Sequence, residues 1–124
     1  MERAAVERIA ETSVLYWIEQ MPLEEWVIVV KTETLEDADG TVSIMAEYRH
    51  ATIRIDVDRH HDRAKVQSTV KHEMQHILTA EFALFWEVVE PEFPIEMRPM
   101  AERIFQASWE LVVRRLERCW EDEE

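Results

Sequence analysis

Apolar and polar positions alternate along the chain with two periods, and the switches between them divide it into elements. Val6, Ile9, Ala10, Val14, Trp17 and Ile18 recur near every 3.6 residues, which predicts a helix over residues 2–20, stopped by Pro22. Its pattern points to packing rather than chemistry. Residues 24–35 predict a strand. Its start, Trp26-Val27-Ile28-Val29-Val30, is β-branched and apolar on both faces, which suits the centre of a sheet. Asp37-Ala38-Asp39-Gly40 predicts a turn, with the only glycine free to take positive φ; it lacks the spacing and distal Glu of a calcium loop. Residues 41–48 predict a second strand or irregular hairpin arm. Residues 51–57 alternate cleanly, with Ile53, Ile55 and Val57 on one side and Thr52, Arg54 and Asp56 on the other. The expectation is a small, mostly antiparallel sheet.

The helical period then returns. Val66, Val70, Met74, Ile77, Leu84, Phe85 and Val88 fall on one arc, predicting a single long helix from about Asp62 to Val89. Glu81 projects into that arc, which implies either a hydrogen-bonded, partly buried carboxylate or a bend. Before this helix, Arg59-His60-His61-Asp62 reads as a polar loop with Asp62 as the cap, in preference to a second metal site. Glu90-Pro91-Glu92-Phe93-Pro94 is a sharp break. A last helix follows from Ile95 or Pro99 to Trp120, with Met100, Ile104, Ser108, Leu111, Val112 and Cys119 expected inward. The fold class is α+β: an N-terminal helix, a small sheet, a long helix and a C-terminal helix, in a single domain over residues 1–124.

Composition narrows what such a domain can do. At 124 residues the chain holds one modest core, and 47% hydrophobic residues with five Trp exclude disorder. A net charge of −13 argues against binding to a nucleic-acid backbone and fits a basic peptide or protein partner. No apolar run approaches a membrane span, and Met1-Glu2-Arg3-Ala4 lacks the apolar core of a signal peptide. The single cysteine, Cys119, cannot form an internal disulfide and suits the cytoplasm. The tail Glu121-Asp122-Glu123-Glu124 is expected to be frayed and solubilising.

Chemistry concentrates in His72-Glu73-Met74-Gln75-His76. On a helix His72 and His76 lie one turn apart on one face, so both imidazoles can hold one Zn²⁺. Glu73 sits about 100° round, where it can act as general base toward a water at the metal. The histidines lie off the apolar arc, beside Thr69, Thr79, Ala80 and Ala83, which leave room for an ion and a ligand.

Catalytic zinc needs a third protein ligand. The metzincin continuation is excluded, because Thr79 stands where it needs Gly and Phe82 where it needs the final His. Glu81 lies about 140° round the helix from His76, out of reach of the same ion. If the long helix ends near 89 and the last begins near 95, the two can run antiparallel. The histidines lie 13 and 17 residues before position 89; the same count forward from 95 reaches 108–112. Glu110 is the only ligand type there. Glu102 would be displaced by roughly 12 Å along the axis, although its helical phase falls within the expected apolar arc and that of Glu110 only at its margin. Glu110 is the favoured third ligand and Glu102 the alternative; Glu110 could instead pair with Arg114 on the surface.

With these elements in place the chain resembles the minimal gluzincin-type metallopeptidase domains of phages and bacteria. The resemblance covers roughly residues 24–120 and rests on Ala51–Asp56, Val70–Leu78 and Glu110–Leu116. It implies a zincin-like fold, Zn²⁺ held by His72, His76 and Glu110, Glu73 as catalytic base, and a viral or prophage origin, hence a host cytoplasm. The chain departs from the pattern at Arg114, where an acidic residue is usual, and offers only Tyr48 and His50 to stabilise an oxyanion. An edge strand, expected at 51–57, would hold an extended peptide by backbone pairing. The expected activity is zinc-dependent peptide hydrolysis. The alternatives are a catalytically silent zinc-binding regulatory or interaction module, and a metal-free acidic interaction domain.

Overall fold

A computed structural model describes residues 1–59 and 62–123. His60 and His61, the residues of the conceivable second metal site, lie outside the described residues. Asp62 does cap the next helix, its carboxylate accepting from the Lys65 N–H at 2.8 Å. The architecture is α+β, with four α-helices and a three-stranded mixed sheet among the described residues: α1 (Arg3–Gln20), β1 (Val27–Glu33), β2 (Gly40–Met45), β3 (His50–Asp56), α2 (Arg63–Leu78), α3 (Glu81–Val89) and α4 (Arg98–Glu117). None of these helices is long and apolar enough to cross a membrane.

The sheet order is β1-β3-β2, with β1 parallel to β3 and β2 antiparallel to it. Two expectations are thereby corrected. The sheet is mixed rather than mostly antiparallel, and β3 (51–57 in the sequence reading) is the central strand, while β1 is an edge. The physical reason is that the helices pack against one face. Ile28, Val30, Val42 and Ile44 are half-buried toward the core, whereas Val27, Val29, Thr41, Ser43 and Met45 are exposed. An apolar run on both sides of β1 therefore did not require a central position. Ala51, Ile53 and Ile55 of β3 pack on Val6, Ala10, Val14 and Trp17 of α1 and on Val66, Val70, Met74 and Ile77 of α2. Gly40 does not take positive φ; that conformation falls to Arg49, at φ 52°. A side chain at Gly40 would meet Thr69 Cγ2 of α2 at 2.6 Å, so glycine here allows β2 to lie close on the motif helix.

The expected helix 62–89 is two helices. At Thr79-Ala80 the ladder tightens, with the Ala80 N–H donating to the Ile77 carbonyl at 3.1 Å. The Thr79 hydroxyl donates back to the Gln75 carbonyl at 2.8 Å and accepts from the Trp109 indole at 2.7 Å. The bend breaks the apolar arc: Val66, Val70, Met74 and Ile77 are buried, but Phe85 and Val88 are exposed, and so is Glu81. It also aims Phe82 and Trp86 at α4, where they stack on Trp109 and Phe105. This aromatic contact sets the inward face of α4 as Phe105, Trp109 and Val113. The expected inward residues are corrected accordingly: Met100, Ile104, Ser108, Leu111 and Cys119 are exposed and Val112 is half-buried.

The acidic tail, expected to fray, docks through its described residues. Trp120 meets Trp17 edge-on, and the buried Lys71 ammonium donates to the Trp120 carbonyl at 2.8 Å and to Asp122 at 2.9 Å. Glu123 accepts from Ser13. A cation held inside the fold needs such acceptors, and the tail supplies them.

Candidate metal centre

Helix α2 presents His72, Glu73 and His76 toward α4 and β2. Helix α4 and the residues that follow it answer in antiparallel order: Trp109 meets Thr79, Glu110 meets His76 and His72, Glu117 meets His72, and Trp120, beyond the helix, meets Lys71. This is the alignment that the length argument required. Glu110 places one carboxylate oxygen 2.7 Å from His76 Nε2 and the other 3.3 Å from His72 Nε2. Ligand atoms of the three residues lie within 4.8 Å of one another. Two imidazole nitrogens and a carboxylate oxygen converging from two helices are a donor set that suits Zn²⁺. Glu102 is exposed and stands outside this cluster. The rotation of α4's inward face also removes the phase objection to Glu110, which adjoins the buried Trp109. Among the described residues Glu110 forms no ion pair with Arg114.

The sequence reading missed two contributors. Glu117 contacts Nδ1 of His72, the nitrogen not facing Glu110. A carboxylate there fixes the ring's orientation and tautomer and leaves Nε2 free to bind. The signal was available: Glu117 follows Glu110 by seven residues, two turns along the same face. Trp109 packs edge-on against His76, with ring centroids 4.8 Å apart, and was hidden because the inward face of α4 was misassigned.

Glu73 is only 6% exposed, and no hydrogen bond to its carboxylate occurs among the described residues. Burial pushes its pKa up to about 7; His72 opposes the shift, while the charges of Glu110 and Glu117 add to it. Burial lowers the pKa of His76, against the pull of Glu110, and so favours the neutral imidazole that a metal requires.

Glu73 separates two open cavities. One, of about 280 Å³, is polar, with Asp39, Lys65, Ser68, His72 and Glu117 on its walls. The other, of about 340 Å³, is lined by Val42, Ile44, His76, Ala83, Trp109 and Glu110. Gly40 lies on both. Thus β2, an edge strand, runs beside the motif, correcting the expectation that residues 51–57 would supply that edge. Neither Tyr48, exposed on a turn, nor His50, at the start of β3, lines either cavity. A larger cavity of about 720 Å³, between Trp26, Arg49 and Glu81, contains none of the motif residues. No protein family, no curated protein and no solved structure matches the chain.

Proposed function

We propose that this chain is a zinc-dependent metallopeptidase of zincin-like build, in which His72, His76 and Glu110 hold the metal and Glu73 is the general base. The observation that carries this reading is the convergence of Glu110, from a separate helix, on the two histidine Nε2 atoms beside a buried Glu73 that has no hydrogen bond among the described residues. The order of helix, sheet with an edge strand, motif helix and closing helix supports the same reading. Bound zinc supplies Lewis acidity, polarising a scissile carbonyl and acidifying a water.

The protein's own residues supply the rest. Glu73 takes the proton of the attacking water and passes it to the leaving amine, a role that favours a pKa near the working pH. Glu117 holds His72 in register. The free edge of β2 pairs with an extended peptide, whose side chains fall on either side of Glu73. The net charge of −13 favours basic substrates and raises their encounter rate. A second reading, a catalytically silent zinc module, is favoured by the absence of a Tyr, Arg or further His from the described walls of both cavities.

Metal content of untagged protein, measured alongside peptide-library hydrolysis, tests both readings. Near-stoichiometric zinc in the wild type, lost in His76→Ala and in Glu110→Ala but retained in Glu102→Ala, is the expected pattern. Cleavage by the wild type that disappears in zinc-loaded Glu73→Gln assigns a peptidase. Zinc without cleavage of any peptide assigns the silent module, and a wild type that takes up no added zinc overturns both.

A further inference from the structure

Helix α4 is apolar on two faces, and the fold buries one. Phe105, Trp109 and Val113 face α3 and the motif helix. Roughly 150° round, Met100, Ile104 and Leu111, with Met97 at the N-cap of α4, share an arc of about 60°. They are 43%, 50%, 61% and 51% exposed. Ala107 and Ser108, also exposed, occupy the same side. Four large apolar residues aligned over about 21 Å of helix form a seam, unlike singly scattered exposed residues.

Charge is arranged lengthwise along this face. Beyond the C-terminal end of the seam come Arg114, Arg115 and Arg118, all exposed and none in an ion pair among the described residues. Before its N-terminal end stand Glu92 and Glu96, likewise exposed and unpaired among the described residues. The three arginines are left without partners among the described residues, whereas the acidic Glu117, Asp122 and Glu123 of the same segment are engaged with His72, Lys71 and Ser13.

We propose that the outer face of α4 docks on the same face of a second copy of this chain, with the two helices antiparallel. Ile104 is the midpoint of the seam, so about a twofold axis it meets Ile104 of the second copy, and Met97 meets Leu111. The small Ala107 and Ser108 let the helices approach closely. The same arrangement carries Arg114, Arg115 and Arg118 past the seam to the Glu92 and Glu96 end of the other copy, whereas a parallel pairing would set arginines against arginines. An anionic membrane would accept the arginines but repel the rest of the acidic surface. On α4 Glu110 lies about 110° round from the centre of the seam, beside the docking face rather than on it, and the inference stands independently of the peptidase reading.

Sedimentation equilibrium of the full chain tests it. The wild type is expected to be a concentration-dependent dimer and Ile104→Asp a monomer with unchanged circular dichroism and melting. Arg115→Glu combined with Arg118→Glu should weaken the dimer about tenfold or more. A wild type that stays monomeric, including one that instead binds anionic vesicles, overturns the proposal. So does a dimer that persists in Ile104→Asp. A dimer indifferent to the double arginine reversal overturns the antiparallel arrangement.

Discussion

Asp56 and Glu73 are both buried carboxylates, 1% and 6% exposed, yet the fold treats them in opposite ways. Burial alone would push Asp56 up. Its carboxylate, however, accepts from the backbone N–H groups of Asp58, Leu35 and Arg59, and the Arg59 guanidinium lies 3.7 Å away, so its pKa ends below the usual value. Glu73 has no comparable donors among the described residues, and burial together with Glu110 and Glu117 raises it to about 7. Two carboxylates with little exposed surface thus end with opposite electrostatics: backbone donors and Arg59 lower Asp56, while deep burial and the charges of Glu110 and Glu117 raise Glu73. Asp56 is consumed in holding two loops; Glu73 is left with its lone pairs available to an outside partner.

Glu73→Gln should have the largest effect, a loss of peptide hydrolysis of about 10³-fold in zinc-loaded protein, measured as kcat/KM, with zinc retained. In metal-free protein the same substitution should stabilise at alkaline pH. The folded pKa of Glu73 lies above its unfolded value, so its contribution is present below pH 4.5 and lost as pH rises through about 7. Removing the ionisable group should therefore flatten denaturant stability between those values, a difference on the order of 3 kcal/mol. A wild type whose metal-free stability does not fall over that window would break the contrast with Asp56.

Asp56→Ala comes next. It leaves the loop N–H groups of Leu35, Asp58 and Arg59 without their acceptor and should cost about 3 kcal/mol in denaturant unfolding. Asp56→Asn, which keeps one oxygen, should cost about 1 kcal/mol. The pH dependence has the opposite sign to that of Glu73. The folded pKa of Asp56 lies below the unfolded value of 3.8, so its stabilisation is present above that value and lost as pH falls through the folded one. The variant should therefore lack part of the acid-unfolding limb of the wild type.

The same two residues mark how far the sequence could be read. Glu73 was legible because a helix converts fixed spacing into fixed geometry: positions 72, 73 and 76 can stand in only one arrangement. Glu110 followed from helix lengths, which constrain axial position. Asp56 was assigned to the polar side of its strand, since its partners are backbone groups of two loops and backbone N–H groups leave no mark in a sequence. The strand order failed for a related reason, because alternation records which face is covered but not which neighbour is paired. The face of α4 was misread because both faces are apolar, and the choice between them lies in the Thr79-Ala80 bend, which turns Phe82 and Trp86 toward Phe105 and Trp109. Glu117 was lost with that face.

Glu117→Ala sharpens the comparison from the Glu73 side, since this carboxylate both orients His72 and raises Glu73. Zinc affinity, measured by competition with a chromophoric chelator, should fall about 10–100-fold, short of the loss in His76→Ala. Glu117→Gln, which retains an acceptor for Nδ1, should recover part of it. Equal zinc affinity in wild type and Glu117→Ala would reduce the contact to an incidental surface pair.

Gly40→Ala should have the smallest effect, and it probes the joint between the two carboxylates. The Asp39 carbonyl accepts from the Asp56 N–H at 2.9 Å, and the next residue, Gly40, lines both cavities beside Glu73. An added methyl would sit 2.6 Å from Thr69 Cγ2 and 3.2 Å from the Arg54 carbonyl. Thr69 cannot easily swing away, being β-branched and donating to the Lys65 carbonyl at 3.0 Å. Overpacking should outweigh the entropic gain from replacing glycine, leaving a net loss of about 1 kcal/mol. Thr69→Ser removes the obstructing methyl but keeps the hydroxyl, so Gly40→Ala with Thr69→Ser should recover most of that loss in a double-mutant cycle. If the two substitutions simply add, the close approach of β2 to the motif helix is not what glycine provides, and the Asp56 end would be free to move without disturbing Glu73.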